Sequence, residues 1–104
     1  MIFDRAHLHQ YTAGDAALEA ELVGLLRDQA ERCLGAMSAA TDVNAWKAAA
    51  HTLKGAARGV GAFELGEACQ RAEDAPQVAW PIAVIEVRRA ADAAFAEIDT
   101  VLAA

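Results

Sequence analysis

The chain has 104 residues, of which 56% are hydrophobic, and carries a formal net charge of −6. That length accommodates one domain, residues 1–104, with a modest core and little room for a deep cofactor pocket. The acidic balance speaks against nucleic acid as a partner, because a phosphate backbone needs a broad cationic footprint, and no uncharged apolar run of about 18 residues is present to span a membrane.

The opening Met1-Ile2-Phe3-Asp4-Arg5 lacks the cationic-then-apolar order of a secretory signal, so a cytoplasmic location is expected. Cys33 and Cys69 fall at apolar helical positions without CxxC spacing, which predicts reduced, buried thiols. Much of the apolar content is alanine, the best helix former, and no β-branched run alternates with polar residues. The fold class is all-α.

In chain order, Asp4 caps a short helix running to about His9, before Tyr11-Thr12-Ala13-Gly14 interrupts it. Asp15 caps a long helix to about Ala39, with Leu18, Leu22, Leu25, Leu26, Cys33 and Met37 at steps of three and four. Asp42 or Thr41 caps a third helix to about Gly59, and Gly59-Val60-Gly61 supplies its stop. A fourth helix runs from about Ala62 to Asp74, with Leu65, Cys69 and Ala72 inward. Pro81 suits the first turn of a fifth, whose Val84, Val87, Ala91, Ala94, Ile98 and Val101 form a bundle seam. Short loops between amphipathic helices imply an antiparallel four-helix bundle with a short additional N-terminal helix.

The third helix concentrates unusual features. Both lysines of the chain, Lys47 and Lys54, flank His51, and no acidic residue occurs between Val43 and Phe63. With about 100° per residue and Trp46 as origin, Val43, Ala50, Leu53, Ala57 and Val60 lie within roughly 60° and form the buried stripe. His51 falls at roughly 140°, between a basic stripe of Lys47, Lys54 and Arg58 and a bare stripe of Ala48, Gly55 and Gly59. The cations are expected to lower the imidazole pKa, keeping it neutral and nucleophilic, and to stabilise a bound phosphoryl group of about −2 charge. Lys47 and Lys54 are direct helical neighbours of His51, whereas Arg58 lies two turns along and would steer or anchor a partner. The bare stripe lets another protein bring its backbone close. Glycine inside an exposed helix costs about 1 kcal/mol relative to alanine, so Gly55 points to a functional need for clearance.

The segment His51-Thr52-Leu53-Lys54-Gly55-Ala56-Ala57-Arg58-Gly59-Val60-Gly61-Ala62 resembles the signature of histidine-containing phosphotransfer domains, and the similarity continues through Leu65, Cys69 and Glu73. The resemblance implies a monomeric bundle in a multistep His–Asp phosphorelay, without a cofactor and without ATP-dependent kinase activity of its own. It implies His51 as phosphoacceptor, Lys54 assisting the phosphoryl group and Gly55 leaving room around the ring. The implied partners are receiver domains of a hybrid histidine kinase and of a response regulator. Many members carry Asn or another polar residue near Gly59; here glycine offers no side-chain contact.

The remaining features have plainer readings. His7 and His9 lack ligands at metal spacing and are expected on the surface, so no metal site is predicted. Trp46 and Trp80 are expected as core or edge packing. Glu64, Glu67, Glu73 and Asp74 are expected as a solvated face that also counters the cations of the third helix. No paired carboxylates, Ser/His/Asp set or Gly-rich phosphate loop is visible. Two alternative functions compete: the phosphoacceptor helix pair of a sensor kinase, and a bundle adaptor that transfers nothing. The first typically places an acidic residue after its histidine and a Thr-Pro or Asn-Pro step later, whereas here Thr52 and Leu53 follow and no proline precedes Pro76. The second is disfavoured by intact His51 and Lys54.

Overall fold

The computed structural model describes residues 1–103, and helices dominate it: α1 (Arg5–Thr12), α2 (Ala16–Ala39), α3 (Val43–Val60), α4 (Phe63–Asp74) and α5 (Trp80–Ala103). A single 3-10 turn, Gln77–Ala79, leads into α5. No strand occurs among the described residues. The 24 residues of α2 span about 36 Å, most of the 42 Å long axis of the molecule. Helices that long joined by such short connections must run antiparallel, and α2, α3, α4 and α5 each pack on the next, with α5 closing back on α2.

Aspartates start three of the helices. The side chains of Asp4, Asp15 and Asp42 accept from the backbone N–H groups of His7, Leu18 and Ala45, satisfying donors that the first turn leaves unpaired. Asp42, not Thr41, is the third cap. Two ends differ from the sequence reading. The first helix continues to Thr12, because Ala13 itself takes the left-handed conformation (φ 50°). Gly59 stays helical, and Gly61 alone stops α3, at φ 96°, its N–H bonding back to Ala57 and Arg58.

Trp46 and Trp80 stack in parallel, 4.6 Å between centroids, and each indole N–H donates to a carbonyl at the end of α4, Trp46 to Ala72 and Trp80 to Ala75. Around them lie Leu26, Met37, Leu53, Leu65, Val87 and a bed of alanines that lets the helices approach closely. Cys33 and Cys69 are free thiols buried in this core. Burial, with the neighbouring Cys33 thiol adding to it, pushes the Cys69 thiol up to about 12. Two residues expected in the core are outside it. Leu25 is exposed because Val23, Leu26 and Ala30 already face the bundle, and Val43 is exposed because it opens α3 beyond the cover of its neighbours. The outer seam residues Val84 and Val101 are half-buried.

The N-terminal segment is fastened at the other end of the bundle. Asp4 N–H donates to the Gly61 carbonyl and Glu64 N–H to that of Met1, while Phe3 and Leu8 pack on Val23 and Ile98. A buried carboxylate, Glu19 of α2, receives the Thr12 hydroxyl at 3.4 Å and faces Arg5 at 3.6 Å and the His9 ring at 3.9 Å. His9 is on the surface as expected; His7 is half-buried, edge-on to Tyr11 and Phe63.

Candidate functional site

The α3–α4 pair builds the candidate site. The apolar stripe of α3, centred on Trp46, Ala50, Leu53 and Ala57, turns inward. Helical rotation then leaves His51 outward, with 71% of its side chain exposed. Leu65, Cys69 and Ala72 turn α4 inward in the same way, and this sets Gln70 and Glu73 along the seam beside α3.

Glu73 is the centre of the polar contacts. Its Oε1 lies 2.9 Å from His51 Nδ1, and its Oε2 accepts from Lys54 Nζ at 3.0 Å. Lys54 Nζ also donates to Gln70 Oε1 at 2.9 Å, and Gln70 Nε2 in turn donates to Asp74 Oδ2 at 3.0 Å. Partial burial pushes the Glu73 carboxyl up, but hydrogen bonds from Lys54 and then His51 outweigh it, holding the group below its usual range. Glu73 is therefore ionised near neutral pH, and against an ionised carboxylate the ring nitrogen Nδ1 carries the proton. No protein partner faces Nε2 among the described residues.

This geometry corrects the cation-rich picture of the imidazole. The charged group touching the ring is a carboxylate from the next helix. Lys54 keeps only 12% of its side chain exposed and is neutralised by that same carboxylate. Glu73 is likewise not part of a solvated face, with 16% of its side chain exposed, whereas Glu64, Glu67 and Asp74 are exposed. Sequence spacing within α3 could not reveal a partner 22 residues away. The available signal was that Glu73 follows the inward Cys69 and Ala72 by four and one positions, at the edge of the buried face.

Lys47 and Arg58 are exposed, and neither forms an ion pair among the described residues. Arg58 lies over α4 at Gly66, where an added Cβ would come 2.9 Å from its Cγ. Thus Lys54 joins His51 through Glu73, while Lys47 and Arg58 stand apart on the rim. Ala48, Gly55 and Gly59 are all exposed, and a Cβ at either glycine would meet nothing within 4 Å. Ala48 and Thr52 line a shallow cleft with Gln29, Arg32 and Cys33 of α2. A second cleft beside it holds Leu22, Leu25, Gln29, Ala56 and Val60. The exposed Leu25 thus extends the bare face of α3 onto α2, which the sequence reading missed. No group of three or more His, Cys, Asp or Glu poised to hold a metal occurs among the described residues, and no described helix is long and apolar enough to cross a membrane.

A bundle that holds out one histidine beside a lysine and a run of small residues has the form of a phosphoryl carrier. A family model described as the Hpt domain matches residues 21–100. Among solved structures, the crystal structure of the histidine phosphotransferase ShpA from Caulobacter crescentus is similar over 96% of this chain and 89% of that chain, at 40% sequence identity and a TM-score of 0.74. No curated protein matches the chain. The chain belongs to the Hpt domain family and is a histidine phosphotransfer protein of phosphorelay signalling. Its partners belong to the phosphorelay, receiver domains among them.

Proposed function

We propose that His51 is the phosphoacceptor, taking a phosphoryl group from an aspartyl phosphate on one receiver domain and passing it to an aspartate on another. The observation that carries this reading is the 2.9 Å contact from Nδ1 to Glu73, which fixes the ring and leaves the Nε2 lone pair outward. In the loading step, Nε2 forms a bond to phosphorus as the bond from phosphorus to the aspartate oxygen breaks, and the electron pair leaves with the carboxylate. The ring then bears the phosphoryl group at Nε2, the original proton at Nδ1 and a positive charge, which faces the Glu73 carboxylate. Unloading reverses these steps with the second aspartate as nucleophile. Glu73 therefore acts on the ring directly, and Lys54, Gly55, Lys47, Ala48, Arg58 and Gly59 surround the arriving receiver.

In this reading the chain is a monomeric carrier between the receiver of a hybrid histidine kinase and that of a response regulator, with no kinase activity of its own. His7, half-buried among aromatic rings, and His9, beside a buried carboxylate, are poorer nucleophile candidates. The test is incubation with a phosphorylated receiver, followed by mapping of the label. An acid-labile, base-stable modification on Nε2 of His51 is expected. Label that survives in His51→Gln, or maps to His7 or His9, rejects the assignment.

A further inference from the structure

Lys54 has no donor to spare. An ammonium carries three N–H bonds. Its Nζ contacts three acceptors on α4: Gln70 Oε1 at 2.9 Å, Glu73 Oε2 at 3.0 Å and Glu73 Oε1 at 3.4 Å. A phosphoryl group on Nε2 can win this cation only if one of the contacts is given up. The 3.4 Å contact to Glu73 Oε1, an oxygen shared with His51, is the longest, but it belongs to the same charged carboxylate as the 3.0 Å contact. Gln70 is the separate, neutral acceptor, so its bond is the one Lys54 can leave without breaking the ion pair.

Gln70 is not free to turn. Its Nε2 donates to Asp74 Oδ2 at 3.0 Å, one helical turn along, which commits its Oε1 to the lysine side. A flipped amide would bring its NH₂ group against the ammonium and lose the Asp74 bond together. Asp74, exposed and outside direct contact with His51, thus decides which atom Gln70 offers to Lys54.

We propose that Gln70, oriented by Asp74, is a positioning residue that sets how Lys54 divides between α4 and the phosphoryl group. The Gln70 bond exists only while Lys54 lies back on α4, so it stabilises the unloaded carrier relative to the loaded one. By linkage, it lowers the share of phosphate that the carrier holds against its receivers and favours onward transfer. This inference rests on His51 as the phosphoacceptor.

The experiment measures the equilibrium ratio of phosphorylated carrier to phosphorylated receiver, a quantity independent of docking strength. Gln70→Met keeps the side-chain length and removes the acceptor; Asp74→Ala removes the orienting group from an exposed position. Each is made alone and combined with Lys54→Ala, with helix content checked by circular dichroism and His51→Gln as control. Both single variants should raise the ratio about threefold or more, the scale of one hydrogen bond to a charged, partly screened group. In the Lys54→Ala background the increase should vanish, which a merely structural role for Gln70 would not produce. In the unloaded protein, the Lys54 ammonium resonance should lose protection from solvent exchange in both single variants. A ratio that stays at the wild-type value or falls in both, or a rise that persists without Lys54, overturns the proposal. Failure of the His51 assignment shows separately, as label retained in His51→Gln.

Discussion

One carboxylate binds two residues of the neighbouring helix: Glu73 meets His51 Nδ1 at 2.9 Å and Lys54 Nζ at 3.0 Å. The imidazole is thereby oriented by an anion, and the nearest cation is already paired before any phosphate arrives. A histidine with its Nδ1 proton so engaged exposes Nε2 without further adjustment, and in the proposed function the positive charge that the ring would gain on phosphorylation would face a counter-charge already in place.

Replacement of Glu73 by Gln separates those two effects. The amide oxygen can still accept the Nδ1 proton, but the counter-charge is gone and Lys54 loses its ion pair. Loading of His51 from a receiver should slow by about tenfold, less than for a fully enclosed site because the ring is exposed to water. The same variant should alter acid stability. The folded-state carboxyl lies below its usual value of about 4.3, so its stabilisation is complete above that pH and is lost as pH falls through the depressed value. Melting curves between neutral pH and about pH 3 should show a shallower acid decline for Glu73→Gln than for wild type. Superimposed declines would mean the network adds nothing to folding.

The sequence exposed most of the fold because its signals were local. Asp15 and Asp42 mark helix starts through their own side chains, and the Trp46–Leu53–Ala57 stripe follows from helical period alone. The outward position of His51, well away from that stripe and between the basic and bare ones, was equally legible. The pairing of Glu73 with a cation of α3 was expected and is found with Lys54. What stayed hidden needed a second helix: the Glu73 contact with His51 and the Gln70 bond come from the register of α4 against α3, and the place of Leu25 from the cleft with Ala56 and Val60. Glu19 is the sharpest such case, since a carboxylate so deeply buried is tolerated only with Thr12, Arg5 and His9 brought over it by α1.

Two of the three cations that the sequence placed on one stripe, Lys54 and Arg58, should behave differently. Lys54→Ala removes a charge bonded into the His51 network, so it should lower the equilibrium share of phosphate on the carrier while helix content stays intact. Arg58 has no ion-pair partner among the described residues, and Arg58→Glu should chiefly slow association with a receiver, the difference shrinking as salt rises. Stopped-flow transfer at two ionic strengths distinguishes them. Equal salt dependence for both variants would contradict the division.

Gly61 should prove a structural glycine. Its φ of 96° is costly for any side chain, and a Cβ there would lie 2.6 Å from the carbonyl oxygen of Asp4, the residue whose N–H anchors the N-terminal segment to Gly61. Gly61→Ala should destabilise the protein by about 2 kcal/mol or more. Hydrogen exchange should rise first at Asp4 and Glu64, whose N–H groups close this junction. Exchange that increases uniformly along the chain would count against a local role.

Gly55 is the contrasting case. It sits in regular helix one turn from His51, exposed, and a Cβ added there would meet nothing within 4 Å. Neither backbone geometry nor packing inside this chain asks for glycine, so alanine should raise stability by up to about 1 kcal/mol through helix propensity. A larger side chain such as Gln should also fold, yet it would stand beside the imidazole on the face where, in the proposed function, a receiver brings its aspartate within bonding distance. Gly55→Gln should therefore slow phosphoryl exchange with His51 by about tenfold or more, since small misplacements at the reacting atoms carry large rate penalties. Stability and transfer then move in opposite directions, as expected where a docking surface departs from the local folding optimum. Melting curves and receiver-to-His51 transfer rates for both variants check this. Wild-type transfer in Gly55→Gln would remove the clearance argument, and a lower melting temperature in Gly55→Ala would return the glycine to the fold.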